Sequence, residues 1–219
     1  MSADSSGKAR IAVLASGGGS NLQSLLDYFG GAGQHDGEVV WVGSNRADAG
    51  ALARATAAGV ATGLAQPHTD GPALLAQLRK ARADLLVLAG YLKLVPIEVV
   101  HAFRGRLLNV HPALLPAFGG DGMYGRRVHE AVLAHGAKLS GVTVHFVDEQ
   151  YDRGAIAAQW PVRVFDDDTP QALAARVLRA EHALLPLTVA AVASGRVRLA
   201  DDGRVVGNVE LPAIPDARP

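Results

Sequence analysis

An amide and an imidazole, Asn109 and His111, stand two residues apart at the end of one short apolar run. The run, Arg106–Val110 (R-L-L-N-V), has strand composition, and His111-Pro112 stops it because proline brings no N–H to a ladder. Residues i and i+2 of a strand point to one side, so Asn109 and His111 face one space where the strand ends. Donors placed there can flank a carbonyl whose oxygen gains negative charge during nucleophilic attack. A histidine standing alone would first be read as a strand-end side chain that satisfies loop carbonyls. The company of Pro112, Leu114, Leu115 and Pro116 makes this run more specific than that.

A second candidate is S-G-G-G-S-N, Ser16–Asn21. Glycines let backbone amides approach an anion, and a helix opening at Asn21 would aim its positive end there. The plain alternative is a strand-to-helix turn with Ser20 as N-cap. A dinucleotide site is disfavoured. The position of its further glycine is Leu22, and the second strand ends in Ser44-Asn45-Arg46 with no acidic residue. No Gly-Lys-Ser/Thr follows, so the Walker pattern is also missing. Tyr151-Asp152-Arg153-Gly154 reads equally as a surface turn, and Glu181-His182 as a solvated helix face or a helix-to-helix hydrogen bond. His129 and His135 form no metal spacing with any neighbour, H-E-x-x-H is absent and there is no cysteine. No metal site, disulfide or thiol nucleophile is expected.

These residues need a frame. Arg10–Ala15, Glu38–Ser44, Ala61–Ala65, Asp84–Ala89, Arg106–Val110, Ser140–Val147 and Ile156–Val164 read as strands. Asn21–Tyr28, Ala49–Ala58, Pro72–Ala81, a segment starting at Pro96, and Val128–His135 read as helices. Thr169-Pro170 has the form of an N-cap and first helical residue. It opens a long helix through Ala193, with a kink expected near Pro186. The tail from Arg196 suggests a small hairpin and then a proline-bearing coil. Alternating strands and helices imply an α/β fold, doubly wound and Rossmann-like, with a mainly parallel sheet and helices on both faces. Ligands of such sheets sit beyond the carboxyl ends of the strands. That singles out Ser16–Asn21, Gly90–Val95 and Asn109–Pro116.

Composition narrows the function classes. The 219 residues are 49% hydrophobic, enough for one sizeable core. We expect a flexible segment at 1–9, one domain at 10–200 and a tail at 201–219. Lysine and arginine number 21 against 21 acidic residues, a balance that offers no basic face for nucleic acid and no membrane-surface run. No apolar stretch reaches about 18 residues, and Met1–Gly7 lacks a signal-peptide core. A cytoplasmic protein that binds neither membrane nor nucleic acid is expected, as a monomer or homodimer.

The run N-V-H-P-A-L-L-P at Asn109–Pro116 resembles the N-x-H-P-S-L-L-P signature of the folate-dependent formyltransferases, with Ala113 in place of the usual serine. The loop at Ser16–Asn21, L-A-G-Y-L-K-L at Leu88–Leu94, T-V-H-F-V-D-E-Q-Y-D-R-G at Thr143–Gly154 and A-E-H at Ala180–His182 agree in order and spacing. The resemblance covers Arg10 to about Leu199. It implies transfer of the formyl group of 10-formyltetrahydrofolate, as co-substrate, to the amine of a small phosphorylated acceptor, glycinamide ribonucleotide. It implies catalytic roles for Asn109, His111 and Asp152, with His145 in support. Gly19, Ser20 and Asn21 would hold the phosphate, and Glu181 would contact the nucleotide. Leu92, Lys93, Leu94 and Val95 would line the folate cleft together with Asn109 and the loop Asp148, Glu149, Gln150, Tyr151, Asp152.

Two departures stand out. Leu92-Lys93 replaces a frequent Met-Arg, which removes the planar guanidinium fork. Phe118–Arg127 (F-G-G-D-G-M-Y-G-R-R) is longer than the corresponding loop of many members. Related functions share the catalytic run: formyltetrahydrofolate hydrolysis, and formylation of methionyl-tRNA in longer chains that carry an RNA-binding domain. A noncatalytic nucleotide-binding module is a further alternative.

Overall fold

A computed structural model describes residues 7–31 and 36–211. The expected flexible segment before residue 7 and the end of the tail from residue 212 lie outside the described residues. The strands are β1 (Ala9–Leu14), β2 (Gly37–Ser44), β3 (Ala61–Leu64), β4 (Leu85–Leu88), β5 (Leu107–His111), β6 (Leu139–Phe146), β7 (Ile156–Arg163), β8 (Arg198–Leu199) and β9 (Val205–Val206). The helices are α1 (Ser20–Gly30), α2 (Gly50–Ala57), α3 (Gly71–Lys80), α4 (Ile97–Ala102), α5 (Arg126–Ala134) and α6 (Pro170–Ala193).

The main sheet has the order β3-β2-β1-β4-β5-β6-β7. Its first five strands are parallel and the last two pairings, β5 with β6 and β6 with β7, are antiparallel. The chain builds outward from β1 through β2 to β3, then returns to lay β4 on the other side of β1. That reversal opens a crevice beyond the carboxyl ends of β1 and β4. Strand alternation divides the core between the two faces. Ile11 and Val13 pack with Leu22, Leu25, Leu173, Val177 and Leu184 of α1 and α6. Ala12 and Leu14 pack with Leu74, Leu78 and Val99 of α3 and α4. Truncating any such buried leucine to alanine typically costs about 2–5 kcal/mol.

α6 is capped as expected, Thr169 Oγ1 accepting from Ala172 N at 3.1 Å. It continues through Pro186 as one helix, without a break at the expected kink. The proline is buried, and tertiary packing of the helix outweighs one lost helical hydrogen bond. The cap of α1 is Gly19 and not Ser20: Gly19 has φ 76° and Ser20 is the first helical residue. The expected hairpin in the tail is the β8–β9 pair. Among the described residues no helix is long and apolar enough to cross a membrane.

Candidate active site

β5 carries Asn109 and His111 to the parallel sheet's carboxyl edge, beside antiparallel β6, where Asn109 pairs in register with His145 and His111 with Thr143. Both β5 side chains line a cavity of about 530 Å³ that runs along this edge. Asp152, on the loop between β6 and β7, reaches back to the same point. Its Oδ2 lies 3.5 Å from His111 Nδ1 and accepts from Gly120 N at 2.9 Å. Its Oδ1 lies 3.4 Å from Asn109 Nδ2 and 3.6 Å from His145 Nε2.

Hydrogen bonding orients each ring and the amide. His145 Nδ1 donates to the Phe146 carbonyl at 2.9 Å, which leaves Nε2 turned toward Asn109. Asn109 Nδ2 therefore donates to His145 Nε2 at 3.1 Å, which aims its second N–H along the edge shared with Asp152. His111 Nε2 donates to the Phe118 carbonyl at 2.8 Å. That bond leaves Nδ1, facing Asp152, as the nitrogen that gains or loses a proton.

The electrostatics follow from burial and from this pairing. Burial lowers the pKa of His111, partly offset by the Asp152 carboxylate and the Phe118 carbonyl. Burial acts on Asp152 in the opposite direction. The close approach of His145, the field of His111 and the Gly120 amide outweigh it, and the carboxyl stays below its usual range. Asp152 also has φ 54°, as Phe118 has φ 56°. Two non-glycine residues in the left-handed region beside one cluster mark a backbone held in place by its surroundings.

The long loop at Phe118–Arg127, whose role the sequence left open, supplies two of these contacts: the carbonyl on His111 and the amide on Asp152. Gly119 lets it approach so closely. A Cβ there would collide with the Leu115 side chain and stand 3.1 Å from Asp152 Cβ.

The far end of the cavity is formed by α1 and α6. Asn21 and Glu181 are both buried, and Asn21 Nδ2 donates to Glu181 Oε2 at 2.5 Å. Burial pushes the Glu181 carboxyl up to about 6, against the hydrogen bond from Asn21. Asn21 Oδ1 is buried with no partner. Gly19 and Ser20, half-buried, precede Asn21 at the start of α1 but do not line the cavity themselves. Any side chain at Gly19 would be strained: beyond its φ of 76°, a Cβ would lie 2.7 Å from Ala51 Cα.

The opposite wall mixes apolar side chains with a few polar ones. Leu92, Lys93, Leu94 and Val95 line it together with Val100, Val147, Asp148, Gln150 and Tyr151. Leu92 and Leu94 are about half exposed, at 51% and 48%. Ser16 ties this loop to the first turn of the fold, accepting from Leu92 N at 2.9 Å and donating to Asn45 Oδ1 at 2.6 Å. Glu149 alone of the expected folate loop faces elsewhere; it meets His101 of α4 at 2.9 Å, outside this cavity.

His129 is a cavity residue that its spacing did not reveal. It is buried on α5, and burial together with the nearby His111 lowers its pKa. Its position in an amphipathic helix gave no signal of this neighbour. Among the described residues no group of three or more His, Asp or Glu side chains is placed to hold a metal ion.

Comparison with known proteins agrees with the geometry. A family model described as formyl transferase matches residues 9–189. A curated relative from Arabidopsis thaliana, named phosphoribosylglycinamide formyltransferase, chloroplastic, is 46% identical over 204 residues, covering 90% of this chain and 69% of that protein. The Haemophilus influenzae protein named phosphoribosylglycinamide formyltransferase is 35% identical, over 93% of this chain and 96% of its own length. Among solved structures, glycinamide ribonucleotide transformylase 1 from Symbiobacterium toebii superposes with a TM-score of 0.84 at 39% identity. The match covers 92% of this chain and 94% of that one.

Proposed function

Because the chain belongs to the formyl transferase family, we propose that it moves the formyl group of 10-formyltetrahydrofolate to the amine of glycinamide ribonucleotide, giving formylglycinamide ribonucleotide and tetrahydrofolate. The observation that carries the reading is the convergence of Asn109, His111 and Asp152 in the wall of one cavity. That cavity has a wall of apolar and a few polar side chains suited to a pterin on one side and the start of α1 with Glu181 on the other. The names of the relatives support the same acceptor.

In the proposed reaction the amine nitrogen attacks the formyl carbon, and the carbonyl π pair moves onto oxygen. Asn109 Nδ2 donates to that oxygen, exchanging its long contact with Asp152 for a shorter one with the oxyanion. Negative charge beside His111 raises the proton affinity of its ring at Nδ1, the nitrogen that faces Asp152. The proton lost by the amine nitrogen passes through Asp152, directly or through water, to His111 Nδ1, and it returns the same way to the folate nitrogen as the C–N bond breaks. The oxygen pair then restores the carbonyl. No covalent enzyme intermediate is needed. Orienting two substrates in one cavity can supply roughly 7–11 kcal/mol of the rate enhancement. The phosphate of the acceptor lies on the amides of Gly19, Ser20 and Asn21, and Glu181 meets its polar groups. The folate lies against Leu92, Lys93, Leu94 and Val95 under the loop Asp148–Asp152, with Tyr151 reaching the backbone of Leu94.

The test follows release of folate product by absorbance with glycinamide ribonucleotide, initiator methionyl-tRNA, or no acceptor. Release that depends on glycinamide ribonucleotide is expected. Release with tRNA alone, or at an equal rate with no acceptor, rejects this acceptor.

A further inference from the structure

The first turn of the fold is shaped from outside. Ala51 N, in the first turn of α2, donates to the Gly17 carbonyl at 3.1 Å. Arg54, one turn further along α2, donates from Nε to the Gly18 carbonyl at 2.7 Å and from Nη1 to Gln23 Oε1 at 3.0 Å. Gln23 is held in turn by Asp27, its Nε2 donating to Oδ1 at 2.8 Å. The contact is close-packed as well as hydrogen-bonded, since a Cβ at Gly50 would stand 3.3 Å from Gly18 Cα.

Peptide geometry turns these two carbonyl contacts into a direction for the amides. A trans peptide sets its N–H opposite its C=O. With the carbonyls of Gly17 and Gly18 drawn toward α2, the N–H groups of Gly18 and Gly19 point away from α2. They join those of Ser20 and Asn21, which begin α1 and lack a carbonyl one turn back.

Charge gives the second argument. The cavity wall supplied by α1 and α6 includes Asn21, Gln171, Leu178 and Glu181 and contains no lysine or arginine. A phosphate monoester carries nearly two negative charges at neutral pH, and a helix N-terminus offers about half a positive one. Arg54 is the cation bonded to the loop itself.

We propose that α2 is the template on which the anion-binding loop is formed, and that Arg54 is a positioning residue for the phosphorylated acceptor. It turns the Gly18 carbonyl out of the site, so that the Gly19 amide turns in, and it places a guanidinium beside the loop. The inference rests on the phosphate lying on Gly19–Asn21. It adds that the affinity of that site is set by a side chain two elements away from the catalytic corner.

Steady-state kinetics of wild type, Arg54→Ala and Arg54→Lys, at low and moderate ionic strength, test this. The alanine variant is expected to raise the KM for glycinamide ribonucleotide by about tenfold, the scale of one charge-assisted hydrogen bond. Its kcat and its KM for the folate stay within about twofold. The lysine variant falls between, because it keeps the charge and loses the fork. Salt raises the wild-type KM more steeply than that of the alanine variant.

Binding of ribose 5-phosphate, followed by calorimetry, separates the two ideas. It is expected to weaken in the alanine variant even if glycinamide ribonucleotide proves not to be the acceptor. An unchanged nucleotide KM together with unchanged ribose 5-phosphate binding overturns the role of Arg54. So does a parallel loss of kcat and of both KM values in the lysine variant, which would mark general damage to the loop.

Discussion

At the end of β5 the groups that face the cavity are side chains. Asn109, His111, Asp152 and His145 hold one another by directed bonds, and two of them have pKa values displaced by burial and pairing. At the start of α1 the groups on offer are backbone amides, turned by a glycine with φ 76° and by contacts with α2. One end therefore depends on chemical identity and protonation, and the other on space and peptide orientation. The two should break differently. Damage at the catalytic corner should lower turnover with the substrates still bound. Damage at the loop should weaken binding of one substrate and leave the chemical step nearly intact.

The largest effect belongs to the corner. Asn109→Ala and His111→Ala are each expected to reduce kcat by about 10²–10³, the usual cost of removing one oxyanion donor or one proton-transfer group, with the protein still folded by circular dichroism. Both residues lie where β5 stops, at the edge of the sheet. Turnover within about twofold of wild type for either variant would remove it from the proposed mechanism.

A smaller effect, of a different kind, is expected at the loop. Gly19→Ala places a methyl group 2.7 Å from Ala51 Cα and holds a Cβ at positive φ. Strain of that type costs on the order of 1–3 kcal/mol. The KM for the nucleotide should rise and the urea midpoint should fall, with kcat at saturation changing less than in His111→Ala. Ser20→Ala, which keeps the backbone, should do much less than Gly19→Ala. If the serine change proves the more damaging, the phosphate is held by side chains and the contrast between the two ends is lost.

These two ends were also unequally legible in the sequence. The α/β alternation, the strand ends and the placement of Asn109 with His111 followed from periodicity and from Pro112, because strand alternation is a local rule. The long helix and its Thr169 cap were equally local. The grip of the Phe118–Arg127 loop on His111 and Asp152 was not legible, since it uses a carbonyl and an amide that any residue supplies. Nor was the contact of Arg54 with Gly18, or the entry of His129 into the cavity. Each depends on how two elements distant in sequence pack. Asp152 read as a surface turn until the family pattern was applied, and only the β6–β7 connection brings it to the corner. The cap at Gly19 in place of Ser20 is a one-residue matter that backbone torsion decides.

The last prediction concerns Glu181, the titratable side chain at the end otherwise built from backbone. It is buried, accepts one hydrogen bond from Asn21, and has its pKa pushed from 4.5 up to about 6. A carboxyl whose folded pKa lies above its unfolded one binds its proton more tightly in the fold. Its favourable contribution is therefore complete below about 4.5 and is lost as pH rises through about 6. Above that window the buried carboxylate costs the fold about 2 kcal/mol. Glu181→Gln keeps an oxygen for the Asn21 amide, removes the charge and brings a donor near the unpartnered Asn21 Oδ1. Urea unfolding at pH 7.5 should show the variant more stable by up to about 2 kcal/mol. The gain should shrink steadily as the pH is lowered toward 4.5. On the proposed reading, in which this carboxylate meets the acceptor's polar atoms, nucleotide KM should rise in the same variant. A variant that is less stable at neutral pH, or a gain independent of pH, would mean that Glu181 is held as a structural hydrogen-bond acceptor. The loop end would then be as dependent on side-chain chemistry as the catalytic corner.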